Sequence, residues 1–178
     1  MSETYVSVDI ETSGPRIGTH SMLQIGACLV DDPTKTFQSL LVPISESADA
    51  KAMEIVGKPL SYFEKSGKDP IEVMRGFGAW VRNASGADSA AVFVGFNAAF
   101  DWAFVNYYFL RYGNAPNPFG VSPLDIKSYY AGLSGCSWED TRSSRIPERF
   151  KSAKRHTHDA LDDAIEQAEM FRRMRDSR

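Results

Sequence analysis

The chain has 178 residues, the size of one domain, and we expect a single domain over residues 1–178. Hydrophobic residues make up 43% and charged residues 24%, so the chain can bury a core without disulfides or a structural metal. The formal charge of −3 argues against a simple polycation that coats nucleic acid. The charge is uneven, however, because residues 142–155 carry six basic side chains and one acidic one, which leaves −8 on the rest of the chain.

Cysteine content and hydropathy indicate the cellular compartment. Two cysteines are too few for a disulfide framework, and no uninterrupted apolar run approaches the ~18 residues of a membrane span. The first residues lack the basic segment and the apolar run of a secretion signal. We therefore expect a reduced, cytoplasmic protein.

The first third of the chain predicts three strands. Apolar and polar residues alternate over residues 5–10, which is typical of a half-buried strand. Residues 22–30 form an apolar run that predicts a strand buried on both faces. A short turn separates that run from a third strand over residues 36–42, so we expect an antiparallel meander.

Helices and strands alternate in the remainder of the chain. Helical spacing of apolar residues predicts helices over residues 70–83, 99–112 and 159–175, and an apolar run predicts a strand over residues 90–96. Minor predicted elements are short helices over 48–56, 59–65 and 126–133, a short strand over 121–124, and a basic loop with one helical turn over 135–155. This pattern predicts one α/β domain with a mixed sheet.

Two carboxylates stand at the end of the first predicted strand. Asp9 and Glu11 are two residues apart, so both side chains project from the same face. Like charges this close cannot both be buried without a cation. The pair therefore predicts either a cation site or an exposed acidic strand end.

A further carboxylate, Asp101, opens the predicted helix that follows the strand over residues 90–96. In the first turn it could simply favour the positive end of the helix dipole. Otherwise a metal ion or a basic partner must compensate its charge.

The start of the final helix holds three more acids and a histidine. Asp159 is placed to cap the helix, and Asp162 occupies the position of a capping-box acid. Asp163 lies on the flank of the helix, and periodicity alone does not choose between Asp162 and Asp163 as a ligand. His158 precedes the helix and could face whatever these acids bind.

Three segments together resemble the motifs of a known enzyme family. Residues 9–12 (DIET), residues 97–101 (NAAFD) and the pair His158 and Asp163 are similar to the exonuclease motifs of the DEDDh family of 3′–5′ exonucleases, typified by the proofreading epsilon subunit of bacterial replicative polymerase. The resemblance runs from about residue 5 to residue 171. It implies a ribonuclease H-like fold, with three antiparallel strands, then parallel ones, in a five-stranded mixed sheet flanked by helices.

The resemblance also assigns the ligands. It implies that Asp9, Glu11, Asp101 and Asp163 bind metal, and their oxygens suit two Mg²⁺ or Mn²⁺ ions. We expect Asp9 to bridge both ions, Glu11 and Asp163 to hold the ion that carries the attacking water, and Asp101 to hold or orient the other. We expect His158 to be the general base, because imidazole titrates near neutral pH.

Further residues are candidates for substrate contact. The segment Thr12, Ser13 and Gly14 is similar to the one that receives the 3′-terminal nucleotide in this family. Candidates to frame the terminal base are Leu23, Phe96, Asn97 and Phe100, although core packing explains the apolar ones and a turn explains Asn97. Many relatives have a histidine where this chain has Phe96. Candidates for contact with substrate phosphates are Arg149, Lys151 and Lys154, which otherwise belong to a solvated loop.

The predicted function is metal-dependent release of nucleoside 5′-monophosphates from the 3′ ends of single-stranded DNA or RNA. One alternative is an exoribonuclease that trims RNA 3′ ends, since the four carboxylates would serve either polymer. A second is a nucleic-acid-binding module without activity on the same fold, although every motif carboxylate is present. The sequence leaves open whether the chain forms a homodimer or serves a polymerase.

Overall fold

Five strands form one mixed sheet. The computed structural model describes residues 2–114, 116–152 and 157–177. The strands are β1 (Ser2–Thr12), β2 (Met22–Leu29), β3 (Thr36–Leu40), β4 (Ser89–Gly95) and β5 (Leu124–Asp125), and their order across the sheet is β3-β2-β1-β4-β5. β2 runs antiparallel to both β1 and β3, whereas β4 runs parallel to both β1 and β5. The predicted sheet is confirmed, except that the strand expected over residues 121–124 is reduced to β5.

Within the described residues, six α-helices flank the sheet. They are α1 (Ala50–Val56), α2 (Leu60–Ser66), α3 (Pro70–Ser85), α4 (Ala99–Tyr108), α5 (Ile126–Ser134) and α6 (Ala160–Arg175). The helix predicted over residues 99–112 is α-helical only to Tyr108, and residues 109–113 continue it as a wider π-helical turn. Three short 3₁₀ turns occupy the polar loop between α5 and residue 150. Among the described residues, no helix has both the length and the apolar character that crossing a membrane requires.

The sheet separates two hydrophobic clusters. On one face α3 and α4 pack against β1 and β2, with Phe77, Phe93 and Phe104 fully buried. On the other face α5 and α6 pack against the sheet, with Ile126 and Met174 fully buried. Every residue of β2 is buried, which explains the continuous apolar run in its sequence.

A glycine in β2 allows α6 to approach the sheet closely. Gly26 pairs with Asp9 across β1 and β2. A Cβ atom at Gly26 would lie only 2.2 Å from the carbonyl carbon of Ala160 and from the nitrogen of Leu161. The first turn of α6 therefore rests directly on β2, beside Asp9.

We expect Gly26→Ala to lower the free energy of unfolding by about 1–3 kcal/mol, because the added methyl group meets backbone rather than a flexible side chain. Urea denaturation measures the change. Gly132→Ala is the matched control, because nothing lies within 4 Å of its added Cβ, and in the middle of α5 it should stabilise by about 0.5–1 kcal/mol. Equal stability of Gly26→Ala and the wild type would contradict the close contact.

Candidate active site

The carboxyl end of β1 presents Asp9 and Glu11. Asp9 lies opposite Gly26 and Glu11 lies opposite Gln24 in the antiparallel ladder. Regular strand pairing ends just after Glu11, where the register shifts between Glu11 and Thr12. Because the two acids are two residues apart on a regular strand, both side chains project from the same face, as the sequence predicted.

Asp101 joins this pair from α4. It lies in the first turn of the helix and is only 6% exposed. Its Oδ1 accepts the backbone N–H of Ile10 at 3.2 Å, and Ile10 is the residue between Asp9 and Glu11. Asp101 is therefore held against the end of β1 rather than serving only the helix dipole.

Asp163 reaches the same place from α6. Its carboxylate is 1% exposed and accepts the backbone N–H groups of Thr157 at 3.0 Å and His158 at 3.1 Å. His158 has a positive φ of 57°, so the chain turns sharply just before the helix. Asp162 is exposed and, from the described residues, accepts a 3.3 Å hydrogen bond from the Thr157 hydroxyl. The structure thus separates the two acids that periodicity left equivalent.

Asp159 fastens the start of α6 to the sheet. As predicted it caps the helix, accepting the N–H groups of Leu161 at 3.0 Å and Asp162 at 3.3 Å. The same carboxylate accepts hydrogen bonds from the amide of Gln24 at 2.8 Å and of Gln38 at 3.0 and 3.1 Å. This contact holds α6 in register with β2 and β3.

These elements converge on one cluster. Ligand atoms of Glu11, His158 and Asp163 all lie within 4.8 Å of one another. Burial, followed by the charges of Asp101, Glu11 and Asp163, raises the pKa of Asp9 well above its ordinary value. Burial, followed by the charge of Asp163, raises the pKa of Glu11 to about 8, and burial raises that of Asp101 to about 7. An oxygen-rich set with this much repulsion fits a hard divalent cation.

Gln167 is a functional residue that sequence reasoning missed. Its Nε2 donates to Asp9 Oδ1 at 2.6 Å, and its Oε1 accepts the backbone N–H of Phe96 at 2.8 Å. The Phe96 contact fixes the orientation of the amide, so Asp9 always faces a donor. Its position four residues after Asp163 places it on the same face of α6, and this spacing could have identified it as a neighbour of the carboxylates.

A cavity of about 320 Å³ opens beside Glu11. Its lining includes Thr12, Gly14, Ile55 and Phe100, so it contains three of the residues predicted to contact substrate. Phe100 is 37% exposed and presents its ring to this space. The cavity is therefore placed to receive a group whose reacting end lies at the carboxylates.

Other predicted substrate contacts lie apart from this cavity. The Ser13 hydroxyl accepts the N–H of Ser21 and donates to the carbonyl of Ser47, both at 2.8 Å, so it shapes the loop after β1. Leu23 is fully buried in β2. Phe96 packs half-buried against the cluster under α6, and Asn97 is exposed with a φ of 63° that allows the turn into α4.

The basic loop does not approach the carboxylates in the described residues. The backbone carbonyl of Lys151 accepts a hydrogen bond from Arg173 at 2.8 Å, and Arg149 lines a cavity that includes Ser177. Both contacts lie toward the carboxyl end of α6, whose sixteen residues span about 24 Å. The Lys151 ammonium is also paired with Glu148 at 2.6 Å. Phosphate contact by Arg149 and Lys151 stays a prediction, and Lys154 lies outside the described residues.

Comparisons with known proteins identify the family of this chain. The RNase T exonuclease family matches residues 6–171. Over 170 residues the chain is 50% identical to the 3′-5′ DNA exonuclease Cap18 of Escherichia coli, covering 96% of this chain and 90% of that protein. The nuclease domain of 3′hExo, a DEDDh family member solved with rAMP, superposes with a TM-score of 0.77 at 15% identity, covering 98% of this chain and 93% of that one.

Another similar structure is E. coli Exonuclease I in complex with a dT13 oligonucleotide. Its TM-score is 0.69 at 16% identity, and the match covers 95% of this chain and 40% of that one. The fold and site thus define a nuclease with a ribonuclease H-like sheet. The chain belongs to the RNase T exonuclease family and is a hydrolytic 3′–5′ exonuclease of the DEDDh type.

We expect the metal-free protein to lose stability as pH rises from about 5 to about 8. The pKa of Glu11 is 4.5 when unperturbed and about 8 in the folded state, so within this window the folded protein keeps a proton that the unfolded chain releases. Glu11→Gln should make the free energy of unfolding less dependent on pH in this window, as measured by urea denaturation in EDTA. Glu64→Gln, at an exposed position on α2, is the control. Identical slopes for Glu11→Gln and wild type would contradict the raised pKa.

Proposed function

We propose that this exonuclease degrades single-stranded DNA from its 3′ end with two divalent ions and releases nucleoside 5′-monophosphates. The cluster of Glu11, His158 and Asp163, beside a cavity that ends at the carboxylates, is the observation that carries the proposal. DNA is favoured over RNA because the relative at 50% identity is named as a DNA exonuclease.

The four carboxylates are proposed to hold Mg²⁺ or Mn²⁺. Asp9 is proposed as the ligand shared by two ions, because the charges of Asp101, Glu11 and Asp163 all raise its pKa and these acids are therefore close to it. When bound, such ions activate water and stabilise a leaving 3′-oxygen. Gln167 would keep Asp9 in position through the 2.6 Å hydrogen bond to Oδ1.

His158 is proposed to remove the proton from the attacking water. His158 is an exposed residue, and its backbone N–H donates to Asp163, which holds the residue beside the cluster. A base with access to solvent can pass each proton on before the next turnover.

The cavity of about 320 Å³ is proposed to bind the 3′-terminal nucleotide. Phe100 and Ile55 would contact the base through apolar surface, which every base offers, so little sequence preference is expected. Backbone groups of Thr12 and Gly14 would face the sugar. The hydrogen bonds of Ser13 to Ser47 and Ser21 keep this loop in place.

A cytoplasmic location stays a prediction for this protein. Cys28 and Cys136 are not joined by a disulfide, and the buried thiol of Cys28 contacts the carbonyl of Ala164. Reduced cysteines are typical of a reducing compartment, which supports the prediction.

The function is tested with 5′-labelled single-stranded DNA and RNA of equal sequence, incubated with Mg²⁺ or with EDTA. We expect a ladder that shortens from the 3′ end, on DNA in preference to RNA, and only with Mg²⁺. Asp163→Asn should reduce the rate by at least about 100-fold, because a ligand is lost. Asp162→Asn is the matched control on the adjacent residue and should leave the ladder unchanged.

Either of two results would contradict the proposal. Equal loss of activity in Asp162→Asn and Asp163→Asn would remove the assignment of the ligand. Preferential shortening of RNA would replace the DNA substrate with the exoribonuclease alternative.

We expect His158→Ala to lower kcat by about 10²–10⁴-fold, the usual contribution of a positioned general base. Its thermal stabilisation by Mn²⁺ should remain close to that of the wild type, because the carboxylates are intact. Turnover equal to that of the wild type would contradict the role of His158. Loss of Mn²⁺ stabilisation would instead identify His158 as a metal ligand.

A further inference from the structure

A second cavity, of about 500 Å³, adjoins the candidate active site on its other side. Lys51 and Ile55 of α1 line the first cavity, whereas Val56 and Lys58, at the end of the same helix, line the second. Glu11 lines the first cavity and His158 lines the second. Each cavity therefore adjoins the cluster, the first at Glu11 and the second at His158.

The second cavity carries basic and aromatic groups. Lys58 and Lys68 are exposed and line it together with Tyr62, which is 40% exposed. The Lys58 ammonium lies 5.6 Å from the centroid of the Tyr62 ring. Polar side chains of β3, Gln38 and Ser39, line it as well. Ammonium groups beside an exposed aromatic ring are the combination by which proteins hold single-stranded nucleic acid without reading its sequence.

The acidic groups near this cavity are already engaged. The Asp159 carboxylate accepts hydrogen bonds from the amides of Gln24 and Gln38 and from backbone N–H groups of α6. Lys68 lies 3.4 Å from Glu72, but both side chains are more than half exposed, and an exposed pair of this kind is weak. Two lysines and one acid, Asp159, stand in the lining of the cavity, so the lining carries a net positive charge.

We infer that this cavity, which we call the Lys58–Lys68 groove, binds the nucleotides immediately 5′ of the scissile phosphate. Lys58 and Lys68 contact their backbone phosphates, and one base stacks on Tyr62. The inference rests on the proposed function, because it takes the 3′-terminal nucleotide to occupy the cavity lined by Phe100. With the scissile phosphate at the carboxylates, the rest of the strand leaves on the opposite side, where the groove begins at His158.

The basic loop supplies the competing route. Arg142 and Arg145 are close to Glu139, Arg145 also to Asp140, and Lys151 is paired with Glu148. Arg149 faces a cavity near the carboxyl end of α6. The groove is lined by His158 of the cluster, whereas Arg149 and Lys151 contact residues at the carboxyl end of α6, so the groove is the basic surface that adjoins the cluster in these contacts.

The test compares two substrates of different length. The p-nitrophenyl ester of thymidine 5′-monophosphate carries one nucleotide and a small leaving group, so it fills the first cavity and barely enters the groove. A single-stranded dT oligonucleotide of about ten nucleotides crosses the groove fully. Hydrolysis of the ester by the wild type tests the proposed function without involving the groove.

We expect the double substitution Lys58→Ala/Lys68→Ala to reduce kcat/KM for the oligonucleotide by a factor about 10-fold or more greater than the factor by which it reduces kcat/KM for the ester. The slope of log(kcat/KM) against log[salt] on the oligonucleotide should fall by about 1.4, or about 0.7 for each phosphate contact on a single strand. Tyr62→Leu should weaken the oligonucleotide reaction roughly 5-fold or more through lost stacking, with the slope retained.

Two variants act as controls. Lys35→Ala removes a lysine that is paired with Asp32 at the opposite end of the sheet, and it should match the wild type on both substrates. Arg149→Ala/Lys151→Ala removes two charges from the basic loop. If that variant flattens the salt slope and the Lys58→Ala/Lys68→Ala protein does not, the groove is excluded as the path of the strand.

Binding measurements separate failure of the groove from failure of the proposed function. Fluorescence anisotropy of the labelled oligonucleotide, in Ca²⁺ and over a range of salt, reports binding without turnover. A weaker Kd and a lower salt slope for the Lys58→Ala/Lys68→Ala protein support the groove even if hydrolysis follows another course. Unchanged binding in that protein overturns the inference.

Discussion

The active site depends on one close backbone contact, in which the first turn of α6 packs against β2 at Gly26. Because no side chain separates them there, the first turn of the helix lies within van der Waals distance of the strand. Gly26 pairs with Asp9, so the same contact brings Asp163 and His158 to the strand that carries Asp9 and Glu11. Asp159 then fixes the helix through Gln24 and Gln38. The acids of β1 and α6 could not share a site if the helix stood one side chain farther away.

Hydrogen bonds from the fold reduce the repulsion and desolvation cost of the clustered carboxylates but do not remove it. Asp9 faces the amide of Gln167, Asp101 accepts a backbone N–H from β1, and Asp163 accepts two from the segment before α6. Each donor favours an ionised carboxylate. The pKa values of Asp9, Glu11 and Asp101 nevertheless stay raised, because burial and mutual repulsion outweigh these hydrogen bonds. The repulsion among these acids favours the binding of cations, and perturbed pKa values of this kind are typical of a functional site.

Local sequence patterns predicted the regular parts of this protein well. The alternation in β1, the apolar run of β2 and the helical spacing in α3 and α6 each reflect burial on a defined face. The end of α4 was less predictable, because the change from α- to π-helical turns leaves the apolar pattern unbroken. β5 was overestimated because only two residues of an apolar segment reach β4.

Side-chain partnerships across the sheet could not be predicted in the same way. Gln167 and Asp9 are 158 residues apart, and Gln24 and Asp159 are 135 apart, so no local pattern links them. The contacts of the basic loop could not be predicted from proximity in sequence either. Residues 142–152 are close to His158 along the chain, yet the contacts of Lys151 with Arg173 and of Arg149 near Ser177 lie towards the far end of α6. Periodicity left Asp162 and Asp163 equivalent and only the family resemblance selected Asp163; in the structure Asp163 is buried and Asp162 is exposed.

The asymmetry of the two cavities bears on the direction of the reaction. The smaller is lined by Ile10, Ile55 and Phe100, and its lysine, Lys51, is accompanied by the acids Asp49 and Glu11. The larger carries Lys58 and Lys68. The 3′-terminal nucleotide has no phosphate beyond its sugar, whereas every nucleotide upstream of it is followed by one. The apolar cavity therefore suits the terminal nucleotide, and the basic groove suits the continuing backbone. In the proposed arrangement the carboxylates lie at the junction, and each cleavage leaves a shorter strand whose phosphates still lie on the lysines. The net charge of −3 is compatible with this partner, because ligand attraction depends on where the charges lie and not on their sum.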